Sequence, residues 1–539
     1  MGKHIILVHG FLLCGTGSNI YCFNLAQQWK KQGHSITIFC QDPDAGSYDW
    51  VDEFYGPNDE LPKEAPPPGL VRVWTPDIAG LLPVYQYDEY KGYTVKTIPN
   101  CTDEEIDRHV NMMSKAIRKV VDMWGCDKVI ANHAILQPLN VKRALEGTNV
   151  PFDIKIHGSS ITFVLKKFPK YMPLAVEAIN ACNKVIAGTE HVVNQVNETF
   201  PDFDLSKKLV IVPPGMDPEV FDLCTSIQSN TTAFLKECEK HISVDNNSRL
   251  ASKVTLPAKG EWNKAFHSEL VELSKTYNQR VVDADIVERF PKISEDEPIL
   301  IFFGKFLYTK GIGEILMTFP QLVAKHPKLR LILVGFGIYR EHLELMIQSM
   351  VTGNKQLFKA AAHCPDEQGY SFLESSINIE EHFIQLSQEQ ADRILITGCL
   401  NHKELGLLLP MASISLVTSK ANEAFGMVSV EALSAGVLPL CVYHSGIKDV
   451  LDKLKETEPE LEGLMNIPAV PGGDFGASNG AELLKVLPAK VLKALDYLYP
   501  PNSSSVDQFE HRKEIGKKLR KVAEEAWSWD GICKTLAEL

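Results

Sequence analysis

Short runs of apolar residues alternate with longer stretches of mixed polarity over residues 1–212. Such runs, with few polar interruptions, are typical of strands buried on both faces of a parallel sheet. The first stretch between them, Ile20–Lys31, has the spacing of a helix and ends at Gly33. The pattern predicts strands at Ile5–Val8, Ser35–Cys40, Lys128–Ala131, Asp153–Ile156, Lys184–Ala187 and Leu209–Val212.

A second alternating series begins at Pro298. Residues 218–295, which precede it, are mostly polar and give few strand signals, and Glu341–Gln390 interrupts it in the same way. Both stretches are interpreted as insertions. The pattern predicts strands at Ile299–Phe303, Leu329–Val334, Arg393–Thr397, Ile414–Val417 and Val437–Val442.

Two consecutive strand–helix series predict an α/β protein with two doubly wound, Rossmann-like domains. A chain of 539 residues is also too long for one ordinary core. We expect an N-terminal domain at 1–217, an insertion or linker at 218–295, and a C-terminal domain at 296–524 with an insertion at about 341–390. A helix at about 525–539, after a break near Trp527 and Trp529, is expected to pack back on the first domain.

Composition narrows the class of protein. The net charge of -13 argues against a general nucleic-acid binder, which needs a basic face. The apolar run before His9 is too short for a signal-peptide core, and no stretch approaches the length of a membrane span. The 12 cysteines show no CxxC pair and are interpreted as reduced packing residues. We therefore expect a cytoplasmic protein.

The segment EAFGMVSVEALSAG, Glu423–Gly436, carries the most specific chemical signal. It follows a buried strand and opens a helix. The backbone amides of Phe425, Gly426 and Met427 are therefore expected at a helix N-terminus, where they can face an anion. Glu431 lies on this helix, about two turns beyond Glu423, and can accept hydrogen bonds from the hydroxyls of a ribose.

Lysine and glycine residues follow the first two strands of the same domain. Gly304 and Lys305 come directly after the first strand, and Lys310 follows shortly after them. Two lysines beside a strand end can neutralise a diphosphate leaving group without a metal, because each is a charged hydrogen-bond donor. Gly335, in Gly335-Phe336-Gly337, opens a further loop of close approach.

The segments GKF…KG, LILVGFG, TGCLNHKEL and EAFGMVSVEALSAG closely resemble the C-terminal domain of the family 4 retaining glycosyltransferases, among the group 1 glycosyltransferases. Those enzymes have the GT-B fold, two Rossmann-like domains that face a central crevice. Residues 186–190 (IAGTE) and 212–217 (VPPGMD) resemble the inter-domain segments of that family, and Gly15-Thr16-Gly17 resembles its N-terminal glycine loop. The resemblance covers most of the chain outside roughly 218–295 and 341–390.

The resemblance implies a role for each matching residue. Glu423 would lie beside the donor sugar, and His157, in Ile156-His157-Gly158, matches the sugar-facing histidine of the family. Lys310 is the third residue implied in catalysis. The residues implied in nucleotide-sugar binding are Gly15, Gly17, Gly304, Lys305, Lys310, Gly335, Cys399, Leu400, Glu423, Phe425, Gly426, Met427, Val428 and Glu431.

One position departs from the family pattern. The family usually has arginine where this chain has Lys305, which keeps the charge but lacks the planar fork that grips phosphate with two hydrogen bonds. Glu431 would bind the ribose, and Cys399 and Leu400 fall where the family places the base.

The implied reaction is transfer of a hexosyl group from a nucleotide sugar, expected to be a UDP-sugar, with retention of anomeric configuration. Neither a metal nor another cofactor is expected, since the two lysines can neutralise the leaving diphosphate. The leaving phosphate can itself deprotonate the acceptor. The acceptor, whether sugar, lipid or small molecule, and the oligomeric state are left open. A small face of Lys166, Lys167 and Lys170 beside Phe163 and Phe168 suggests membrane contact, but a solvated helix side gives the same pattern.

Two other functions are compatible with parts of the sequence. A catalytically silent GT-B module would bind a nucleotide sugar without turnover. An α/β-hydrolase would use Ser478 of GASNG as its nucleophile, and the His9-Gly10 turn after the first strand would form its oxyanion hole. No buried strand precedes that serine, however, as the nucleophile turn of such an enzyme requires. His157 as a strand-end histidine, and Gly15 and Gly17 as an ordinary turn, are the simpler readings of those residues.

A further motif suggests metal chemistry. Asp283-Ala284-Asp285 has the form of the metal-binding DxD of the other glycosyltransferase fold. We expect it to lie in the insertion, away from any strand end, and to have no such role.

Overall fold

The computed structural model describes residues 2–15, 17–85, 90, 92–242, 249–250, 264–274, 281–365, 370–472, 476–501 and 503–539. The chain divides into two compact units, Met1–Gly215 with Trp527–Leu539, and Met216–Ala526. Each unit contains its own parallel β-sheet with helices. No helix among these described residues has both the length and the apolar character needed to cross a bilayer.

The main sheet of the first unit has the strand order β10-β9-β8-β7-β1-β2-β4-β3, and β5 and β6 pair separately. Every residue of β2 and β7 is buried, as expected for strands covered on both faces. The strands are β1 (His4–Val8), β2 (Ser35–Phe39), β3 (Glu53–Tyr55), β4 (Val71–Trp74), β5 (Leu81–Val84), β6 (Thr94–Thr97), β7 (Lys128–Asn132), β8 (Phe152–Lys155), β9 (Val185–Ala187) and β10 (Leu209–Ile211).

All the strands predicted for this unit are present within one or two residues of the predicted bounds. The pattern did not predict β3 to β6. The apolar run of β4 is broken by Arg72, whose guanidinium pairs with Glu53 on β3 and lies 4.7 Å from the ring centre of Trp124. In the sequence a charged residue such as Arg72 indicates a loop, because its partner in the fold is not visible there. The strand was therefore not predicted.

Helices cover the main sheet of the first unit. The longest of them begins with a capping box, in which Thr102 accepts from the amide of Glu105 and the Glu105 carboxylate accepts from the amide of Thr102. The helices are α1 (Gly17–Lys31), α2 (Asp103–Trp124), α3 (Gln137–Ala144), α4 (Met172–Ala181) and α5 (Glu190–Thr199).

The sheet of the second unit has the order β13-β12-β11-β14-β15-β16, and all its pairs are parallel. The strands predicted here are also confirmed; only the short, proline-containing β16 was missed. The strands are β11 (Ile299–Phe303), β12 (Arg330–Val334), β13 (Ile394–Gly398), β14 (Ile414–Val417), β15 (Leu438–Tyr443) and β16 (Asn466–Pro468).

The helices of the second unit include several within the two stretches interpreted as insertions. They are α6 (Ile227–Ile242), α7 (Lys264–Ser274), α8 (Ile286–Arg289), α9 (Ile312–Lys325), α10 (Arg340–Thr352), α11 (Lys355–His363), α12 (Ile379–His382), α13 (Gln388–Ala391), α14 (His402–Leu408), α15 (Met427–Ser434), α16 (Ser445–Thr457), α17 (Pro459–Met465), α18 (Gly480–Leu498) and α19 (Ser505–Trp527). Phe234 and Cys238 of α6 share one hydrophobic core with Ile299 and Ile301 of β11.

The last helix, α20 (Trp529–Glu538), belongs to the first unit. The chain leaves α19 at Trp527 and turns at Ser528 before α20 begins. The indole N–H of Trp29 on α1 donates to the carbonyl oxygen of Cys533 on α20, at 3.0 Å. Trp529 lies in the same core as Trp29, so residues near the end of the chain complete a core that its first residues begin.

Candidate nucleotide-sugar site

The predicted binding residues of the second unit follow the carboxyl ends of its strands. Backbone hydrogen bonds join the loops after β11, β12 and β13 at this edge. The amide of Gly304 donates to Val334 O at 3.0 Å, and the amide of Gly335 donates to Gly398 O at 2.9 Å. Because the carboxyl ends of parallel strands meet at one edge, these loops form a single surface above the sheet.

The glycines in these loops are required by close contacts between backbones. Gly335 has a φ of +150°, and a Cβ there would overlap the carbonyl oxygen of Gly304. Gly311 has a φ of +70° and lies against the carbonyl oxygen of Thr418 in the same way. At both glycines, the backbone of one loop therefore lies in close contact with the backbone of a neighbouring loop.

Glu423 and Lys310 form an ion pair at this edge of the sheet. Lys310 ends a short 3₁₀ turn after β11, and Glu423 lies in the loop after β14. The hydroxyl of Ser419 also donates to the Glu423 carboxylate. The side chains of Glu423 and Lys310 are 24% and 30% exposed, so a solute can reach both.

The charge state of Glu423 follows from these contacts. Burial raises the pKa of the carboxyl, but the Lys310 charge and the hydrogen bonds from Lys310 and Ser419 outweigh burial and hold the pKa below its ordinary value. Glu423 is therefore ionised at neutral pH.

Helix α15 begins immediately after this loop, as the sequence predicts. Gly426 is its N-cap and has a φ of +95°, and a Cβ there would lie 2.9 Å from Ile447. Phe425 is buried, while Met427 and Val428 form the first turn. The amides of a first helical turn have no partner within the helix and carry its positive end, so this turn favours an anion.

Glu431 is buried on the same helix. Burial raises the pKa of its carboxyl to about 7. This carboxyl lies about one turn from the anion-favouring end of the helix, and its oxygens can accept hydrogen bonds from a ligand, such as those from the hydroxyls of a ribose.

Lys305, Cys399 and Leu400 lie on the loops of the same sheet edge. The ammonium of Lys305 is 5.7 Å from the ring centre of Phe336, a cation–π contact that connects the loops after β11 and β12. Cys399 is partly exposed, and its amide donates to Val281 O at 3.1 Å. The Leu400 side chain packs in the hydrophobic core, which leaves its backbone as the part that can face a ligand.

The other predicted site residues, His157, Gly15 and Gly17, lie in the first unit. Gly15 has a φ of +88°, and among the described residues no atom of a non-neighbouring residue lies within 4 Å of the Cβ position of Gly17, which begins α1. Thr16, between them, is outside the described residues.

His157 follows β8 and is held in a cluster of rings. Its Nε2 lies 2.7 Å from Asn132 Oδ1, and the amide nitrogen of Asn132 points to Val8 O at 3.5 Å. Since Oδ1 can only accept, Nε2 carries the proton, and Nδ1 is an acceptor in the neutral ring. Burial, with the nearby His133 and Lys155, lowers the pKa of His157 well below its usual value, so this neutral form is present at neutral pH.

Sequence reasoning missed the residues that support Glu423. Lys420, three positions earlier, is fully buried, and its ammonium lies 2.7 Å from Glu314 Oε1 and 3.6 Å from Glu374 Oε1. His444 and Ser445 lie at the start of α16 and contact Ser419 and Glu423. These partners are distant along the chain, and the sequence holds no spacing signal that joins them.

Two other motifs have structural roles. The expectation that Asp283 lies away from any strand end is wrong: Val282 forms a β-bridge with Gly398 at the end of β13. The Asp283 carboxylate is buried against Arg340, at 2.6 Å, and pairs also with Arg289. The two arginines balance its charge, so the aspartate serves an ion-pair network of the fold.

Ser478, the serine of the alternative hydrolase hypothesis, is buried. Its amide donates to Lys420 O at 3.1 Å, and the next residue, Asn479, caps α18. Gly473-Asp474-Phe475, just before it, lie outside the described residues. A buried serine beside a helix cap differs from the exposed nucleophile on a strand-to-helix turn that a hydrolase requires.

Models of two protein families match the chain. Residues 15–220 match Glycosyltransferase Family 4, and residues 284–376 and 380–458 match Glycosyl transferases group 1. The matches fall in both units and together cover more than half of the chain.

Curated relatives match over parts of their length. The gpi3 subunit of phosphatidylinositol N-acetylglucosaminyltransferase from Schizosaccharomyces pombe is 25% identical over 160 residues, which are 30% of this chain and 26% of that protein. An uncharacterised glycosyltransferase of Methanocaldococcus jannaschii is 20% identical over 250 residues, 45% of this chain and 44% of the other. The matched region thus spans less than half of either relative.

Solved structures match over almost the full chain. A glycosyltransferase from Rickettsia africae superposes with a TM-score of 0.53 at 14% identity, covering 100% of this chain and 97% of that one. Sucrose-phosphate synthase from Thermosynechococcus elongatus gives 0.52 at 13%, covering 99% and 98%. Anabaena HepE in complex with UDP and glucose gives 0.51 at 11%, covering 99% and 98%. At these identities the likeness establishes the GT-B fold. With the two family matches, it shows that the chain belongs to the group 1 glycosyltransferases.

Proposed function

We propose that the protein is a retaining glycosyltransferase that transfers a hexosyl group from a UDP-sugar to an acceptor hydroxyl without a metal. The observation that carries this proposal is the Lys310–Glu423 ion pair directly before the N-terminus of α15. Lys310 and the N-terminus of α15 together favour a diphosphate. Glu423 provides an ionised carboxylate that can face the sugar.

The charges fit the departure of a nucleoside diphosphate. Negative charge grows on the leaving phosphate as the glycosidic bond breaks. Lys305, Lys310 and the first-turn amides of α15 are fixed donors that would stabilise that charge. The leaving phosphate would then accept the proton of the attacking hydroxyl. Because the hydroxyl attacks on the face of the sugar from which the phosphate leaves, the anomeric configuration is retained.

Glu423 has a second role in this proposal. In the unliganded protein its carboxylate balances Lys310, and a bound diphosphate would compete for that ammonium. Glu423, still bound by Ser419, would then face the sugar as a hydrogen-bond acceptor. Glu431 would accept from the ribose hydroxyls.

The first unit is proposed to bind the acceptor and to supply His157. With Nε2 bound to Asn132, the Nδ1 lone pair of the neutral ring would accept a hydrogen bond from a sugar hydroxyl. Gly15 and Gly17 would leave room for substrate at the start of α1.

Similar proteins support the choice of donor. HepE structures were solved with UDP and with UDP-glucose, and the S. pombe relative is named as an N-acetylglucosaminyltransferase. UDP-glucose and UDP-N-acetylglucosamine are therefore the first donors to test.

The test is a panel of UDP-glucose, UDP-N-acetylglucosamine, GDP-mannose and ADP-glucose, measured by thermal shift and by release of nucleoside diphosphate. We expect a UDP-sugar to raise the Tm most and to be hydrolysed slowly without acceptor, with EDTA having no effect. Binding of a UDP-sugar with no turnover under any acceptor would favour the catalytically silent module. Loss of activity in EDTA that Mg²⁺ restores would contradict the metal-independent chemistry.

A further inference from the structure

We propose that His444 and Ser445 are positioning residues that hold Glu423 in its productive place through a closed ring of hydrogen bonds. The inference rests on the proposed function, because it assigns these residues through the part that Glu423 plays there. Neither residue was expected to belong to the site from the sequence.

The ring begins at the backbone of Glu423 and ends at its side chain. The amide of Glu423 donates to Ser445 Oγ at 2.9 Å, and Ser445 Oγ lies 2.8 Å from His444 Nδ1. His444 Nε2 lies 2.6 Å from the carbonyl oxygen of Ser419. The hydroxyl of Ser419 donates to the Glu423 carboxylate and closes the ring.

The chemistry of the groups fixes the direction of each hydrogen bond. A carbonyl oxygen only accepts, so His444 Nε2 carries the proton that meets Ser419 O. In the neutral ring Nδ1 is then an acceptor, and the Ser445 hydroxyl donates to it while its oxygen accepts from Glu423 N–H. Every member of the ring is satisfied in one protonation state. The lowered pKa of His444, caused first by burial, favours that neutral state.

Helix α16 holds the Glu423 backbone from a second direction. The amide of Gly446 donates to Glu423 O at 2.9 Å. A Cβ on Gly446 would overlap the carbonyl group of Ala424, so the start of α16 packs directly on this loop. Both backbone groups of Glu423 are thus bound by successive residues of one helix.

The left-handed backbone conformation of Ser445 indicates that its hydroxyl has a function. Its φ is +47°, a left-handed conformation that glycine adopts freely and serine adopts at a cost. Such strain persists where the surrounding structure requires it, and it is common at functional sites. What serine offers here over glycine is the hydroxyl that accepts from Glu423.

Positioning matters most once substrate competes for Lys310. The carboxylate of Glu423 then relies on Ser419 and on the fixed backbone for its direction. A displacement of a reacting group by about 1 Å can lower a rate by on the order of a hundredfold. The ring should therefore affect turnover while leaving nucleotide binding intact.

The test compares Ser445→Gly, Ser445→Ala and, as a matched control, Ala79→Gly with the wild type. Ala79 is exposed in a turn of the first unit and has a φ of +54°, so its replacement relieves similar strain away from the site. UDP-glucose hydrolysis, UDP affinity and Tm are measured for each variant.

We expect Ser445→Gly to keep or raise the Tm, to bind UDP with unchanged affinity, and to lower kcat by about tenfold or more, in line with loss of one hydrogen bond to the Glu423 backbone. Ser445→Ala should lower kcat equally and also lower the Tm, because it loses the hydrogen bonds of the hydroxyl without relieving the strain that the wild type already carries. Ala79→Gly should raise the Tm without changing kcat.

His444 is tested by rescue. Leucine removes both hydrogen bonds, whereas the amide of glutamine both donates and accepts. We expect His444→Leu to lower kcat with UDP affinity retained, and His444→Gln to recover part of that loss.

The inference is overturned if Ser445→Gly keeps the kcat of the wild type, if it loses UDP affinity in step with kcat, or if it fails to fold. Failure of the proposed function has a different result: the wild type releases no UDP, or Glu423→Gln is as active as the wild type. The reference variant Glu423→Gln is therefore measured in the same series.

Discussion

The burial of Glu431 opposes the stability of the folded protein. The residue is 7% exposed, and burial raises the pKa of its carboxyl to about 7 from the ordinary value of 4.5. The folded protein therefore binds more protons than the unfolded chain between these two pKa values. Its stability falls as the pH rises through this interval, by about 3 kcal/mol at most for this one group.

Removal of this charge should stabilise the unliganded protein. Glu431→Gln should show a higher free energy of unfolding than the wild type at pH 8, and the gain should shrink toward pH 5, where the wild-type carboxyl is already protonated. Urea unfolding at the two pH values measures the difference. The exposed Glu460→Gln is the control and should change little at either pH. A Glu431→Gln variant less stable than the wild type at pH 8 would contradict the assigned burial cost.

Lys305 stands where the family usually has arginine, and this difference should affect the binding of a diphosphate. Arginine at this position would present two parallel N–H groups to a phosphate, where lysine presents a single charged head. We expect Lys305→Arg to tighten UDP binding about threefold or more, measured by calorimetry. The exposed Lys328→Arg, which pairs with Asp296 away from these loops, should leave UDP affinity unchanged. Unchanged UDP affinity in Lys305→Arg, as expected for the control, would show that Lys305 does not contact the diphosphate.

At the scale of elements, one buried ammonium joins three segments of the second unit. Lys420 follows β14, Glu314 lies in the first turn of α9, and Glu374 accepts from the amide of Gly480 at the start of α18, at 3.1 Å. The same α9 begins just after Lys310, and the loop of Lys420 leads to Glu423. The stretch around Glu374, interpreted from the sequence as an insertion, is thereby connected to the loops that carry the site.

Removal of this ammonium should strongly lower the free energy of unfolding. Lys420→Met leaves two buried carboxylates without their cation, and loss of one partner of a buried pair costs about 3–5 kcal/mol. Denaturant unfolding measures the loss. Lys485→Met, which removes an exposed i,i+3 pair, should cost less than about 1 kcal/mol. A Lys420→Met variant as stable as the wild type would show that the ion group does not hold these segments.

The elements also show where sequence reasoning works and where it stops. Continuous apolar runs predicted the buried strands, and the FG turn between two acids predicted a helix N-terminus at Phe425, Gly426 and Met427, where α15 begins, since both signals are local. Lys420, His444 and Ser445 were missed because their partners are set by the fold. Asp283 was misplaced for the same reason: its pairing with Arg340, 57 positions away, has no signature in the chain.

At the scale of the whole molecule, the chain crosses from one unit to the other twice. After α19 it returns to the first unit, where Trp529, Ile532 and Leu536 of α20 join the core that contains Trp29 of α1. The family matches end at residue 458, before this last stretch, which the sequence predicts as helical with a break near Trp527 and Trp529.

The last helix should therefore be essential to the first unit. Trp529→Ala removes a large buried side chain and should lower the free energy of unfolding by about 3–5 kcal/mol. Lys534→Ala, on the exposed face of the same helix, should have little effect. Equal stability of Trp529→Ala and the wild type, measured by denaturant unfolding, would show that α20 does not contribute to this core.

The most direct test of the proposed function is the rate of UDP release from UDP-glucose by the wild type and by Glu423→Gln, with UDP affinity measured for both. The substitution keeps the shape of the side chain and removes the charge that Lys310 balances. We predict that kcat falls by about a hundredfold or more while UDP affinity changes by less than about threefold, as for the loss of a fixed group that acts in the transition state. Equal rates in the two proteins would contradict the assignment of Glu423 and, with it, the proposed chemistry of the site.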